Sequence, residues 1–344
     1  MTSEPSVRAD SALQLARAYY ATKNYQRAQD VTRSALSQNP NDPDLLALNA
    51  AAEHALENHW VAAWSAYSAL STAPQHEFAM RVYALALYGL GRTYDALWMA
   101  WRGVTAHPNQ AEQHRVYATL LAASRQFSSA LFVVDRALQL ESHSVDALIL
   151  RGYILYRLGR VAESDAAYRQ ALQLDPGNAE ALNDLAVHRL DSHKFGRALH
   201  GFLVAAGRDP ALANLARRNI GVVLRKVLTG VTIGAGLVSV LLAITAGAYN
   251  DGRPTAVARV VVGLVTAALI AVLWWLLRAI PRGVLLSVLR KQHFSAARAI
   301  HALVAIAAGA WVTVYPGPPA MIAVGGLLAV IALIIIRIGL FIGK

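Results

Sequence analysis

Residues 145–176 read VDALILRGYILYRLGRVAESDAAYRQALQLDP. From Val145 to Tyr156 the apolar side chains recur at helical spacing. Gly159 interrupts that pattern, and Ala162 to Leu174 resumes it until Pro176 and Gly177 end it. The stretch is therefore a pair of short helices, and it recurs along the chain. Ala28, Ala62, Ala96, Ala130 and Ala198 stand on a step of 34 residues, with Ser164 in the open slot. Pro40, Pro74, Pro108, Pro176 and Pro210 keep the same step, with Ser142 in the gap. Ala35, Ala69, Gly103, Ala137, Ala171 and Ala205 form a third series. Three registers on one period mark six copies of one unit, which stack into an α-solenoid. Small side chains at these positions let helices approach, and larger ones such as Tyr168 and Phe202 fill the space between turns.

These residues resemble the tetratricopeptide repeat family over residues 9–210. The likeness is strongest in the first copy (Leu15, Ala16, Tyr19, Ala28, Ala35, Pro40) and the fifth (Gly152, Gly159, Tyr168, Ala171, Pro176). The second and third copies depart from it at the early large positions. The resemblance implies a right-handed solenoid with a concave groove, lined by the first helix of each pair, that receives a protein or peptide. Mapped copy by copy, it implies groove positions at Arg17 and Tyr20, His54, Arg81 and Tyr88, Arg115, Tyr153 and Tyr156, and Asn183. Arg81 and Arg115 occupy the same position in adjacent copies, placed to fork onto acidic side chains or a carboxylate terminus. The competing reading is a solvated helix face. The lysine–asparagine clamp of chaperone-binding members is absent. Trp64 and Trp98 stand one period apart on second helices, with Trp60 and Trp101 nearby. They are expected to pack between helices; the alternative is an apolar patch on the convex side.

The net charge of +11 does not belong to the repeats. Residues 1–210 carry 19 Lys and Arg against 20 Asp and Glu, whereas residues 211–344 carry 13 against the single acid Asp251. Basic residues flanking apolar runs orient membrane segments and match poorly a surface that tracks phosphates, so no nucleic-acid partner is expected. Val227 to Tyr249 is an uncharged run of 23 residues and Val260 to Leu277 one of 18. Ala299 to Tyr315 and Ala320 to Ile336 are runs of 17, joined by Pro316-Gly317-Pro318-Pro319. The first run covers a hydrocarbon layer of ~30 Å; the last two reach about 26 Å and span it with flanking arginines extended outward. The alternative for the last pair is a re-entrant hairpin.

The expected architecture is all-α. A polar tail occupies residues 1–8, a six-copy tetratricopeptide-like solenoid 9–210, a capping and linking helix 211–226, and a transmembrane domain 227–344. Spans are placed at 227–249, 256–278, 299–315 and 320–337, with an amphipathic interfacial segment at 281–298 built on Val284, Leu285, Val288 and Leu289. Ala211, Leu212, Leu215, Ile220, Val223 and Leu224 are expected to cap the open end of the solenoid. Gly230 and Gly234, followed by Gly236, suggest a helix–helix seam on the first span. Trp274, Trp275, Trp311 and Tyr315 suit interfacial anchors.

Eleven basic residues fall on one side of these spans against Arg253 and Arg259 on the other, which assigns the solenoid and the C-terminus to the cytoplasm. Met1 to Ala9 has no signal-peptide pattern. Absence of cysteine fits that compartment and removes disulfides and thiolate chemistry. Arginine outnumbers lysine 27 to 5, a composition of GC-rich bacterial genomes, so the membrane expected is the bacterial plasma membrane.

No Walker loop, HExxH or Gly-x-Ser-x-Gly turn occurs. His54 and His59, like His188 and His193, are five apart, the wrong spacing for two ligands on one helical face. His301 is expected at the membrane interface. The expectation is a non-enzymatic adaptor without cofactor or metal. It would hold a protein or peptide partner, contact membrane lipid and sit within a membrane protein complex. The alternative is a regulatory integral subunit of a transporter or of an envelope-lipid or secretion complex.

Overall fold

The computed structural model describes residues 4–209, 212–315 and 318–342. Pro210, Ala211, Pro316, Gly317, Lys344 and the start of the polar tail lie outside the described residues. Seventeen helices and no strand occur among the described residues. By its contacts the chain separates into two compact units, residues 1–176 and 177–344.

The first unit is five helix pairs. They are α1 (Glu4–Ala21) with α2 (Tyr25–Leu36), α3 (Pro43–Ala55) with α4 (His59–Thr72), α5 (Glu77–Gly89) with α6 (Thr93–Ala106), α7 (Ala111–Ala123) with α8 (Phe127–Leu140), and α9 (Val145–Arg157) with α10 (Val161–Leu174). The first helix therefore begins inside the expected polar tail. Side chains of Asp42, His76 and Ser144 accept hydrogen bonds from the backbone N–H of Leu45, Ala79 and Ala147, capping α3, α5 and α9. Ala28, Ala62, Ala96, Ala130 and Ser164, the small residues of the repeat, are all completely shielded from solvent. Gly152 shows why: a methyl group there would stand 2.8 Å from the ring of the buried Tyr168. Each first helix touches the first helix of the next pair (α1–α3, α3–α5, α5–α7, α7–α9). The second helices stay farther apart, so the first helices line the inner face of this unit and the second helices its outer face.

The turn within each pair carries a feature that the period did not announce. Lys23, Glu57, Gly91, Arg125, Gly159 and His193 all have φ between 57° and 78°, and they too are 34 residues apart. Glycine meets that left-handed demand only at Gly91 and Gly159; the other four turns force an L side chain into it.

The second unit holds the sixth pair, α11 (Ala179–Asp191) and α12 (Phe195–Arg208), and then α13 (Ala213–Asn250), α14 (Ala256–Ala279), α15 (Arg282–Lys291), α16 (His293–Val314) and α17 (Ala320–Ile342). The expected linker and first span form one unbroken helix of 38 residues, about 57 Å long. Ile220, Val223 and Leu224 near its start share a core with Ala198, Leu199 and Phe202 of the sixth pair and with Val288 of α15. Four helices, Ala213–Asn250, Ala256–Ala279, His293–Val314 and the Ala320–Gly339 stretch of α17, are long and apolar enough to cross a membrane.

Two expectations need correction here. The segment 281–298 is not one amphipathic helix: α15 ends at Lys291, and residues from His293 onward belong to α16. Its apolar stripe (Val284, Leu285, Val288, Leu289) packs onto the protein core just described. His301, expected at the membrane interface, is buried between helices, its Nε2 3.0 Å from the carbonyl oxygen of Leu328. Gly230 faces open space, whereas Gly234 lies against Leu269 and the closest helix approach is made by Gly325 of α17, where an added Cβ would meet the Ser239 carbonyl oxygen at 2.7 Å. Gly339 of α17 also stands in a packed position, against Arg298 and Phe294 of α16.

Candidate functional site

The inner face of the first unit gathers the expected groove residues, and most of them are already engaged. Arg17 reaches from α1 to Asp44 of α3 at 3.1 Å, and His76 stands 3.5 Å from the same carboxylate. Tyr20 is half-buried against Ala50, Ala51, Val82 and the ring of Tyr25. Burial pushes the Tyr20 phenol up, Tyr25 adds to this, and the Arg81 guanidinium offsets part of it. Tyr20 and Arg81, from the first and third copies, therefore share one electrostatic environment.

Arg81 pairs with Glu77 one turn back and lies over the ring of Phe78, 5.4 Å from its centroid. Arg115 is bound by Glu112, a hydrogen bond that, with the fields of Glu112, Asp146 and Glu141, raises its pKa against the cost of burial. Neither arginine is a free fork: each has a carboxylate of its own helix, and both are largely buried. Tyr88 packs on the core of the third copy. Tyr153 accepts a hydrogen bond from Arg157 at 2.7 Å and meets Phe127 edge-on; Tyr156 is half-buried.

Two residues stand otherwise than their spacing suggested. Asn183, in the second unit, is only 4% exposed, and its Oδ1 accepts from Asn219 of α13 at 3.1 Å. The groove position of the sixth copy is thus filled by α13, and Asn183 is not open to a partner. His54 and His59, five apart, are brought together because the chain reverses between them: their Nδ1 atoms stand 3.3 Å apart. Burial first, then the field of His59, lowers the His54 pKa.

On the outer face the tryptophans do not pack between helices, as expected, but stand in solvent. Trp60 and Trp64 of α4 are 68% and 62% exposed and stack in parallel, ring centroids 6.2 Å apart. Trp98 and Trp101 of α6 are about half exposed. The period located these residues; it left their direction open, because a second helix has both a packed and an outward stripe.

Residues 9–53 and 145–178 match family models described as tetratricopeptide repeat. A stretch of 76 residues is 36% identical to anaphase-promoting complex subunit 7 of Homo sapiens and of Mus musculus. It is 22% of this chain and spans only 14% of each of those curated relatives. Among solved structures, the fold is similar to that of PilF from Pseudomonas aeruginosa, at 17% identity and TM-score 0.48 over 60% of this chain and 94% of that one. Yeast Tom70 aligns at 18% identity and TM-score 0.49 over 61% of this chain and 46% of its own. YrrB, described as a TPR protein with an unusual peptide-binding site, aligns at 20% identity and TM-score 0.39 over 54% of this chain and 97% of its own. Two matched stretches, a 34-residue period and paired helices at each copy show that this chain carries tetratricopeptide repeats.

Proposed function

We propose that this chain is a membrane-anchored adaptor. Its repeats hold a partner protein or peptide on the cytoplasmic face, and its apolar helices localise that partner to a complex in a bacterial plasma membrane. The observation that carries the reading is the union, in one chain, of tetratricopeptide repeats, which support a protein-binding role, with four helices of membrane-crossing length and composition. The charge bias supports the orientation: basic residues cluster on the flanks that share a side with the repeats. Anchoring raises the effective concentration of the partner without further contacts. The groove is assigned to Arg17, Tyr20, His54, Arg81, Tyr88, Arg115, Tyr153 and Tyr156, with Tyr20 and Arg81 at its centre.

The test is capture of partners by the full chain in mild detergent, identified by mass spectrometry. Arg81→Gln together with Arg115→Gln should remove the partner while leaving helicity and membrane insertion unchanged; undiminished capture removes the groove from the mechanism. Protease added to intact spheroplasts should spare the repeats, and their digestion reverses the topology.

A second reading is that the chain is a regulatory integral subunit whose membrane helices form the main interface. One observation favours it: the sixth repeat shares its core with α13 and α15, so a repeat is built into the same unit as the apolar helices. Under that reading, partner capture survives the groove substitutions and is lost when α14 and α17 are altered on their exposed faces.

A further inference from the structure

The outer stripe of α4, α6 and α8 repeats an aromatic pattern on the 34-residue step. Trp64, Trp98 and Phe132 occupy one position in three consecutive copies and are 62%, 47% and 79% exposed. Trp60 and Tyr94 share a second position, Tyr67 and Trp101 a third, and all four are exposed. The pattern stops on both sides. The first copy has Gln26, Asp30 and Arg33 at these positions, and the fifth has Ala162, Ala166 and Arg169. Seven large aromatics turned to solvent on three adjacent helices are not required by the repeat, since neighbouring copies fold without them. An apolar surface of this kind marks a docking face.

The chemistry of the face selects its occupant. The aromatics are mostly Trp and Tyr, whose rings combine an apolar body with a polar edge and concentrate at the boundary between hydrocarbon and water. The three helices contain two acids, Asp95 and Asp135, and each is paired with an arginine: Arg92 at 2.7 Å and Arg151 at 2.7 Å. Arg102 extends over the Trp98 ring, 4.9 Å from its centroid, and Arg136 lies beside Phe132's helix turn. Within these helices Arg102 and Arg136 balance Asp95 and Asp135, so no net charge opposes a headgroup layer and the aromatic rings select the occupant. The same chain carries four helices of membrane-crossing length, which hold this face near a bilayer at high effective concentration.

We infer that the outer aromatic face of the second to fourth repeats is a lipid-docking surface, seated at the headgroup level of the membrane. The inference rests on the membrane-anchored reading for the nearness of lipid. It assigns the inner face to the partner and the outer face to the bilayer, so that the repeats are held at the membrane by contact as well as by covalent connection.

The chain has no cysteine, so one introduced thiol reports one place. A spin label at Ser71→Cys sits one turn beyond Tyr67 with every aromatic retained, and one at Gln173→Cys occupies the same repeat position in the fifth copy. The full chain is reconstituted in phosphatidylcholine–phosphatidylglycerol vesicles, and the relaxation of each label by dissolved oxygen and by a water-soluble nickel chelate is measured. The expected result is several-fold weaker nickel relaxation and stronger oxygen relaxation at position 71 than at position 173. Changing Trp60, Trp64, Trp98 and Trp101 to Ser should bring the two positions together with the helical circular dichroism retained; Trp64→Ser with Trp98→Ser is the milder variant if the fourfold change unfolds the repeats. Equal, nickel-dominated relaxation at both positions overturns the inference. Protection of position 71 from nickel and oxygen alike also overturns it, since that is the signature of a protein occupant or a second copy. Alkaline carbonate treatment of the same vesicles separates this result from the anchored reading: release of the chain defeats anchoring, whatever the labels report.

Discussion

Arg259 and Val314 are joined by a hydrogen bond of 2.7 Å, from the guanidinium Nη2 at the start of α14 to the carbonyl oxygen that ends α16. The same side chain donates to the carbonyls of Val312 and Thr313, at 3.2 and 2.8 Å. The last carbonyls of a helix have no partner within it, and a cation there also meets the negative end of the helix dipole. A residue that reads in sequence as a topology marker is therefore also a clamp between two apolar helices.

Arg259→Ala should destabilise the second unit by about 2 kcal/mol, in the range of hydrogen bonds to charged groups, and Arg259→Lys by less, because an ammonium keeps the cation at the helix end although it cannot fork across three carbonyls. Thermal unfolding in detergent micelles, followed at the helical band, measures this. Equal midpoints for wild type and Arg259→Ala would show that lipid or water serves those carbonyls as well as the arginine does.

Glu53 is completely buried in the first unit, where Arg33 reaches it at 2.6 Å and Asn58 at 2.9 Å. Removing the cation leaves a buried carboxylate without its charge partner. Arg33→Ala should cost about 3 kcal/mol, whereas Arg33→Ala combined with Glu53→Gln should recover part of the loss. Urea denaturation of the three proteins decides it, and a double variant no more stable than Arg33→Ala would rule out the coupling.

The left-handed turns offer the opposite sign. Glu57 and Arg125 hold φ of 66° and 60°, where an L side chain crowds its own backbone. Glu57→Gly or Arg125→Gly should stabilise the repeats by up to about 1 kcal/mol, the strain relieved exceeding the added freedom of the unfolded glycine. The same substitution at Ser124, next to one of these turns but without that geometry, should destabilise. A fall in melting temperature on Arg125→Gly would count against strain in the turn.

The His54–His59 contact makes the repeats sensitive to acid. Two Nδ1 atoms 3.3 Å apart share one proton comfortably, and both rings cannot be charged without repulsion. The folded His54 pKa is lowered, so the unfolded chain takes up that proton first, near its ordinary value of about 6.5. The contribution is intact above that pH and is lost as pH falls through the lowered folded value. Chemical denaturation at about pH 7.5 and about pH 5.5 should show wild type losing more stability than His54→Gln across this window. Identical losses would place the acid sensitivity elsewhere.

Much of this protein was legible before any coordinates. The three small-residue and proline registers state the period, and the period states the paired helices, because only a side chain the size of Ala62 or Ser164 fits where two helices cross. The apolar runs state the membrane-length helices, because hydrocarbon thickness sets a minimum length. Both are local rules, carried by residue size and hydropathy along the chain. What tertiary structure alone decided is direction and partnership. It turned Trp60, Trp64 and Trp98 outward, closed Glu77 and Glu112 onto the arginines of the inner face, covered Asn183 with α13, and brought His54 to His59 across a reversal. It also set the left-handed backbone at Lys23, Glu57 and Arg125, where no glycine signals it. Each of these depends on which neighbour occupies the space beside a side chain, and that is a property of packing between elements remote in sequence.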